Sequence, residues 1–253
     1  MNSMEPILSI QNLRRDFKMG SEIVHALRGV SFNIHPGEFV TIMGTSGSGK
    51  TTMLNILGCM DRPTAGHYVL DGEHTEKMSR DALAHIRSRK IGFVFQSYNL
   101  LSRTTAIENV ELPLLYNSRV SSMERRKRAM EALERVGLAD RMNHVPNQLS
   151  GGQQQRVAIA RALVNDPVII LADEATGNLD TRTSYEIMSL FQELHAQGKT
   201  IAFVTHEPDI STFSGRTITL RDGLLKKDTL NENIQSARHA LELLPPPETF
   251  DEE

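Results

Sequence analysis

The sequence has little of what would tie it to an oxidising compartment or to the interior of a membrane. Its single cysteine, Cys59, excludes a disulfide-bonded scaffold and a cysteine-based zinc ribbon. No apolar run approaches the roughly 20 residues that a membrane-spanning helix needs, and the longest, such as residues 168–172, have the length of a strand. The first six residues lack the basic-then-apolar pattern of a signal peptide. We therefore expect a soluble cytoplasmic protein that reaches a membrane only through a partner.

The chain also lacks a strong excess of charge of either sign. Its formal net charge is −3, and residues 228–253 carry seven acidic side chains against one arginine. The remaining residues are therefore slightly basic, and a balance so close to neutral argues against general nucleic-acid binding. The densest basic run, residues 125–128, is expected to be the solvated face of a helix.

Short apolar runs that alternate with helical periodicity predict an α/β fold with a mostly parallel sheet. The predicted strands are residues 7–10, 39–43, 91–95, 168–172 and 200–205. Apolar residues at helical spacing predict two amphipathic helices between them. One helix carries Met53, Ile56, Leu57 and Met60, and the other carries Ile187, Leu190, Phe191 and Leu194 before a stop at Gly198.

We expect one large domain over residues 5–227, followed by an acidic tail over residues 228–253. The core is predicted to comprise residues 5–96 and 166–227, and the mainly helical middle, about residues 97–165, forms a subdomain inserted between them. Asp222-Gly223 between two apolar runs predicts a hairpin at the end of the core. The tail is expected to be loose, with at most a short helix around residues 233–244.

A glycine-rich loop lies between a predicted strand and a predicted helix. Its sequence, Gly44-Thr45-Ser46-Gly47-Ser48-Gly49-Lys50-Thr51, matches the Walker A pattern. Glycines let the loop curl so that backbone N–H groups converge on phosphate oxygens, at the positive end of the following helix. Lys50 is predicted to reach the β/γ-phosphates and the Thr51 hydroxyl to take a Mg²⁺ position, with Thr52 beside it. This motif indicates a nucleoside triphosphate.

Two acidic residues follow the buried strand at residues 168–172. In a chain with a phosphate-binding loop, Asp173 is expected to hold Mg²⁺, usually through water, and Glu174 to polarise the attacking water. Without that loop, the two carboxylates could merely cap the next helix or meet solvent. The loop favours the catalytic interpretation.

A second anion-binding helix start is predicted at Ser150-Gly151-Gly152-Gln153, which follows Leu149. Ser150 is a natural N-cap, and the two glycines permit a close approach to the start of the helix. One ATP does not need two such cradles from one chain, so the two cradles are expected to serve different ATP molecules. The alternative is an ordinary helix start.

An ordered set of motifs spans roughly residues 5–227. It comprises the Walker A loop, Gln96 after Phe93-Val94-Phe95, the Leu149–Gln153 signature, Asp173-Glu174, Asn178-Leu179-Asp180 and His206. This set resembles the ATPase subunit of ABC transporters. Residues 57–64, 109–114 and 172–180 further resemble the branch of bacterial lipoprotein-releasing and macrolide- or peptide-export ATPases. The resemblance implies a P-loop NTPase with a RecA-like core, an N-terminal antiparallel β subdomain and an inserted α-helical subdomain.

The resemblance also implies an ATP- and Mg²⁺-dependent hydrolase that forms a head-to-tail dimer. Each ATP would lie between the Walker A loop of one copy and the signature, Ser150 to Gln153, of the other. Ser150 and Gly152 would meet the γ-phosphate of the ATP bound to the partner copy. The partner that receives the work would be an integral membrane permease at the cytoplasmic face of the inner membrane.

Four further residues take roles only through this resemblance. Gln96 matches the loop that touches Mg²⁺ and moves with the membrane partner, and His206 matches the residue that contacts the γ-phosphate. Asp180 matches the loop that communicates between the two sites. Phe17 matches the aromatic that stacks on adenine, although it could equally belong to the core. The branch usually has proline where this chain has Ala175.

Two alternatives to transport are compatible with an ATPase of this kind. The membrane partner could transmit force, for cell-wall remodelling or signalling, without transporting anything, and the cassette itself does not separate these cases. Action on ribosomes or DNA is disfavoured because the chain has a single phosphate-binding loop and lacks a long coiled coil between its two ATP motifs. The role of the acidic tail stays open between regulation and a solvated end.

Overall fold

The computed structural model describes residues 5–117 and 120–245, and the elements below refer to these residues. The last eight residues of the predicted acidic tail lie outside them. The strands are β1 (Leu8–Met19), β2 (Glu22–Ile34), β3 (Phe39–Gly44), β4 (Ala65–Leu70), β5 (Glu73–His74), β6 (Ile91–Phe95), β7 (Ile169–Asp173), β8 (Ile201–Thr205), β9 (Arg216–Arg221) and β10 (Leu224–Leu230). The helices are α1 (Lys50–Leu57), α2 (Arg80–Lys90), α3 (Ala106–Leu115), α4 (Ser122–Arg135), α5 (Gly151–Leu163), α6 (Thr181–Ala196), α7 (Pro208–Ser211) and α8 (Ala237–Leu243).

The strands form two sheets, and the larger one positions the site. Its six strands lie in the order β10-β9-β3-β8-β7-β6, and all neighbours pair in parallel except β9 with β10. The smaller sheet, in the order β2-β1-β4-β5, is antiparallel. The predicted α/β class, with a mostly parallel core sheet and an antiparallel N-terminal unit, is confirmed.

The parallel register brings the ends of distant strands to one edge of the large sheet. Strands β3, β6, β7, β8 and β9 all end at this edge, which we call the carboxyl edge. The residues that end or follow these strands include Gly44, Gln96, Asp173 and His206. In open α/β sheets such an edge is where ligands bind.

Two hydrophobic clusters pack on opposite sides of the large sheet. One joins side chains of the sheet to helices α3 to α6 and α8, through residues such as Ile159, Phe191 and Phe213. The other joins the sheet to α1, α2 and the small sheet, through residues such as Met53 and Leu171. Alternating strand residues point to opposite faces, so β7 contributes Ile170 to the first cluster and Leu171 to the second.

Three predicted elements differ from the structure. Met60 does not lie on the face of α1, because the helix ends at Leu57 and Cys59 adopts a left-handed conformation, and Met60 is exposed. The strand predicted at residues 7–10 is the start of the much longer β1, which pairs along most of β2. The expected short helix around residues 233–244 is present as α8, but the tail is less loose than predicted, since β10 continues to Leu230 and α8 packs against α6.

Within residues 5–117 and 120–245, the structure contains no helix with the length and apolar character needed to cross a bilayer.

Asn109 on α3 is fully buried and organises the loop that precedes the helix. Its side-chain amide donates to Leu101 O at 3.2 Å and Thr104 Oγ1 at 2.8 Å, and its carbonyl accepts from Leu101 N at 2.8 Å. Asn109→Ala leaves these buried groups without partners and should lower the free energy of unfolding by about 2–3 kcal/mol. Urea denaturation checks this, with the exposed Leu115→Ala on the same helix as a control expected to stay within about 0.5 kcal/mol.

Candidate functional site

A cavity of about 1380 Å³ opens at the carboxyl edge of the large sheet, above α1. It is lined by residues of the glycine-rich loop, the ends of β6, β7 and β8, the start of β2 and the β9–β10 turn. The predicted site residues among its lining are Gly44, Thr45, Ser46, Gly47, Gly49, Lys50, Thr51, Thr52, Gln96, Asp173, Glu174 and His206. The predicted site residues come from four separate stretches of sequence and therefore meet in one place.

Lys50 lies at the centre of the loop and is almost fully buried. Its ammonium Nζ donates to the carbonyl oxygens of Gly44 at 2.6 Å and Thr45 at 3.0 Å. A buried cation normally needs such partners, because burial without them is costly. The loop thus folds around the lysine and holds its charge at the floor of the cavity.

The start of α1 is unlike that of the other helices. Among the described α-helices of eight residues or more, it alone begins without a side-chain cap, and its first turn contains no acidic residue. The N-cap, Gly49, has a φ of 101°, a conformation that favours glycine. The uncapped N–H groups and the positive end of the helix dipole are available to an anion.

Glu174 and His206 both line the cavity and are in direct contact. The distance from His206 Nδ1 to Glu174 Oε1 is 2.8 Å. Glu174 has a φ of 44°, unusual for a residue other than glycine, and its N–H donates to Val204 O of β8 at 2.8 Å. The end of β7 is thereby fixed against β8, and Glu174 and His206, two of the three residues predicted to be catalytic with Gln96, are brought together.

Asp173, the first carboxylate of the acidic pair, is half-buried. Burial raises its pKa above the ordinary value, and the neighbouring Glu174 raises it further, while Lys50 opposes both effects. A carboxylate with a raised pKa at the wall of a cavity gains from a cation placed beside it.

Gln96 follows β6 and is tied to the loop after the acidic pair. Its side-chain amide donates to Asn178 Oδ1 at 3.4 Å, and Asn178 Nδ2 donates to the Gln96 carbonyl at 3.1 Å. A Cβ at Gly177 would lie only 2.7 Å from Gln96 Nε2, so the loop packs closely on the glutamine. The end of β6 is therefore in direct contact with the segment that leads to Asp180.

The oxygen donors of the cavity suit Mg²⁺ when substrate phosphates and water supply the remaining ligands. Thr51, Asp173 and Gln96 contribute a hydroxyl, a carboxylate and an amide oxygen to its lining. Among the described residues, no group of three or more histidine, cysteine or acidic side chains could hold a metal. Mg²⁺ is typically bound by one or two protein oxygens plus substrate phosphates and water, so this donor set suits it.

The signature residues do not line this cavity and form a second cluster with the start of α6. Ser150 caps α5, accepting from Gln153 N at 3.3 Å, and Gln153 Oε1 accepts from Ser150 N at 3.0 Å. A Cβ at Gly152 would lie 2.5 Å from Thr183 Cγ2, so α5 approaches α6 as closely as glycine allows. Asp180 caps α6, and hydrogen bonds from Thr183 lower the pKa of its carboxyl. Gly151, Gly152 and Asp180 belong to this cluster, which we call the signature cluster.

Ser48 and Phe17 are also absent from the cavity lining. Ser48 is buried beneath the loop, and its hydroxyl has no hydrogen-bond partner in the described part of the chain. Phe17 pairs with Val24 across β1 and β2, and the Arg15 guanidinium lies 4.4 Å from its ring centroid. Val24 lines the cavity, so Phe17 lies next to a lining residue. Adenine stacking by Phe17 stays a prediction.

The part of the site contributed by β2 and the β9–β10 turn was not predicted from the sequence. Gly223 N donates to Ser48 O at 3.1 Å, and Gly223 O accepts from Arg28 N at 2.8 Å. A Cβ at Gly49 or at Gly223 would lie 2.7 Å from Ala26 O. The Asp222-Gly223 hairpin was predicted, but its contact with the glycine-rich loop joins segments far apart in the chain and leaves no local signal.

Comparisons with known proteins agree on one family. A family model described as ABC transporter matches residues 27–177. An ABC transporter ATP-binding protein of Thermotoga maritima is 55% identical over 223 residues, which cover 88% of this chain and 95% of that protein. The macrolide export ATP-binding/permease protein MacB of Chlorobaculum tepidum is 53% identical over 90% of this chain, which spans only 35% of that longer protein.

A solved structure gives the same result. It is the dimeric ATP-binding cassette of Methanocaldococcus jannaschii in a post-hydrolysis state, bound to ADP and Pi. It is 51% identical in sequence, covers 89% of this chain and 99% of its own, and superposes with a TM-score of 0.81.

The contact between Gly49 and β2 predicts a large effect of a single methyl group. Gly49→Ala adds a Cβ 2.7 Å from Ala26 O in a backbone conformation that favours glycine, and we expect nucleotide affinity to fall about tenfold or more. Gly72→Ala is the matched control, because Gly72 also has a positive φ but open space around it. Titration with a fluorescent ATP analogue should show normal affinity for the control; equal losses in both variants would contradict the role of the contact.

Proposed function

Because this chain belongs to the ABC transporter family and is an ATP hydrolase of that family, we propose that two copies enclose two ATP molecules and drive a separate integral membrane permease. The proposed cassette comprises residues 5–227, with residues 97–165 as its helical subdomain. The protein would lie at the cytoplasmic face of the inner membrane, with the permease as its only contact with the bilayer and no nucleic acid involved.

The observation that carries this proposal is the separation of the site into two parts. The cavity holds the glycine-rich loop and the Glu174–His206 pair, whereas the signature cluster is absent from its lining. Both parts offer the start of a helix, at Gly49 and at Ser150, that suits phosphate. A head-to-tail dimer places the second part over the first, and a related cassette has been solved as a dimer with ADP and Pi.

Each side chain of the cavity then has a distinct task. Lys50 and the N–H groups at the start of α1 bind the phosphates, and Phe17 is proposed to stack on adenine. Glu174 polarises the attacking water, and His206 orients Glu174 and contacts the γ-phosphate. Thr51, Asp173 and Gln96 would hold Mg²⁺, which when bound neutralises charge on the phosphate oxygens.

The γ-phosphate is proposed to act as the ligand that holds the dimer closed. Ser150, Gly152 and Asp180 of one copy would contact it or its surroundings in the other copy, so it binds the closed state better than the open one. A ligand can shift a conformational equilibrium only through such a difference in affinity. Hydrolysis and loss of phosphate remove the difference and let the dimer open.

Replacing Glu174 separates hydrolysis from binding. Glu174→Gln should lower ATP turnover about 100-fold or more, keep ATP affinity and accumulate an ATP-dependent dimer in gel filtration. Lys50→Ala is the contrasting variant and should weaken nucleotide binding itself. Turnover of Glu174→Gln near the wild-type rate would remove Glu174 from its assigned role.

A groove of about 730 Å³ between α2, α3 and β6 is the proposed docking surface for the permease. Phe93 and Phe95 line it with stacked rings 5.2 Å apart, and Tyr116 at its rim is 82% exposed. Arginines 87, 89 and 161 give it a basic character. Because β6 leads directly to Gln96, a helix that binds here would be connected to the nucleotide cavity.

The branch of transporter is proposed from the relatives. The MacB relatives are macrolide export ATP-binding/permease proteins, and we propose lipoprotein release or macrolide or peptide export for this chain. The alternative is a partner that transmits force for cell-wall remodelling or signalling without transport.

Affinity purification from host membranes in mild detergent tests both the groove and the branch. Tyr116→Ser should reduce recovery of a membrane partner about fivefold or more, whereas Met123→Ser, equally exposed on α4 outside the groove, should not. A four-span permease with a large extracytoplasmic domain supports export or lipoprotein release. A partner bound to cell-wall enzymes favours force transmission, and ribosomal or DNA-bound proteins without any membrane protein would overturn the transporter proposal.

A further inference from the structure

Residues 231–245, which follow β10, form a segment that we call the C-terminal strap. Its first residue, Asn231, donates through Nδ2 to Ser211 O at 3.1 Å and to Ser214 O at 2.6 Å. Gln235 N then donates to Thr212 O at 3.0 Å. These bonds fasten the beginning of the strap to α7 and the residues after it, a few positions beyond His206.

Two side chains of α6 hold the rest of the strap. Gln192 donates to Gln235 O at 2.7 Å and accepts from Ala237 N at 2.9 Å, so it satisfies the start of α8. Arg182 donates to the carbonyl oxygens of Leu244 and Pro245 at the other end. The strap therefore runs antiparallel to α6, and Ala237 is fully buried between them.

The end of the strap is fastened beside the signature cluster. Arg182 is the second residue of α6, in its first turn, and lies two positions after the Asp180 cap. In the same turn, Thr183 donates to both carboxylate oxygens of Asp180, at 2.9 Å from N and 2.6 Å from Oγ1. The Thr183 methyl group supports Gly152 of α5. A shift of α6 along its axis would therefore move Asp180 and the start of α5 together.

The strap belongs to one side of the large sheet only. Ala237 packs in the same hydrophobic cluster as Phe191, Phe213 and Ile159 of the signature side. Met53 and Leu54 of α1, which follow the glycine-rich loop, belong to the cluster on the opposite side. Because the sheet separates the two, the strap can affect the signature cluster without touching the nucleotide loop.

We propose that the C-terminal strap positions the signature cluster for the ATP of the partner copy, with Arg182 and Gln192 as positioning residues. This inference rests on the proposed ATP-bound dimer. The strap fixes the position of α6 along its axis relative to α7. The position of α6 in turn determines where Asp180 lies and, through Thr183, where α5 begins. Weakening it should lower the affinity of one copy for the ATP-loaded face of the other and leave the affinity of a single chain for nucleotide unchanged.

The test uses the full chain in the Glu174→Gln background, where ATP accumulates the dimer. Arg182→Ala and Gln192→Ala are combined, and the ATP concentration that gives half dimer is measured by sedimentation velocity. We expect it to rise about tenfold, with binding of a fluorescent ATP analogue to the monomer within twofold of the parent. Arg182→Lys, which keeps one donor for the strap carbonyls, should recover part of the loss.

Arg238→Ala is the matched control, because Arg238 is an arginine on the exposed face of α8. It should dimerise like the parent. If the double variant fails to fold by circular dichroism, the single Arg182→Ala and Arg182→Lys variants decide the matter through the same two readouts.

The outcomes distinguish the inference from the function on which it rests. Failure of the Glu174→Gln parent itself to dimerise with ATP would overturn the proposed function. A parent that dimerises, together with strap variants that dimerise at the same ATP concentration, would overturn the strap inference alone. Equal losses in dimerisation and in monomer nucleotide affinity would also overturn it, because they would mean a general disturbance of the fold.

Discussion

The site depends on the parallel pairing of β3, β8, β7 and β6. Parallel strands must all end at the same edge, and here that edge collects a glycine-rich loop, a glutamine, an acidic pair and a histidine from four distant stretches of sequence. A helix follows β3 directly, so its positive end points into the same space.

The large sheet also separates two packed layers, one on each of its faces. One layer contains α1 and the small antiparallel sheet, which surround the glycine-rich loop. The other contains α3 to α6 and α8, including the signature cluster. Gln96 and Asn178 connect the end of β6 to the loop before α6 at the carboxyl edge, because each donates a hydrogen bond to the other.

Local patterns were sufficient to predict much of this architecture. The parallel strands after residue 38, the amphipathic α6 and the Asp222-Gly223 hairpin follow from hydrophobic spacing and turn residues, and the structure contains them. The Walker A loop was predicted because a strand, the loop and a helix occur consecutively. The acidic pair was predicted because it follows a buried strand in a chain that has this loop. The assignment of Gln96, Asp180 and His206 depended on a family resemblance, since an isolated glutamine, aspartate or histidine carries no such pattern.

What the sequence could not predict depends on contacts between distant residues. Met60 continues the helical spacing of α1, but Cys59 turns the chain before it can join the helix. The order of the strap comes from Gln192 and Arg182, polar residues of α6 that look like ordinary surface positions. Gly223 shapes the nucleotide loop from the far end of the chain through Ala26 and Ser48.

The hydrogen bonds of Lys50 have a consequence for how the site is assembled. Because its ammonium is satisfied by the carbonyl oxygens of Gly44 and Thr45 of its own loop, the lysine is held in position by the fold of the chain. A phosphate that enters the proposed site would meet this charge already in place, and its oxygens would replace the two carbonyl partners. The proposed site is in this sense preorganised for an anion.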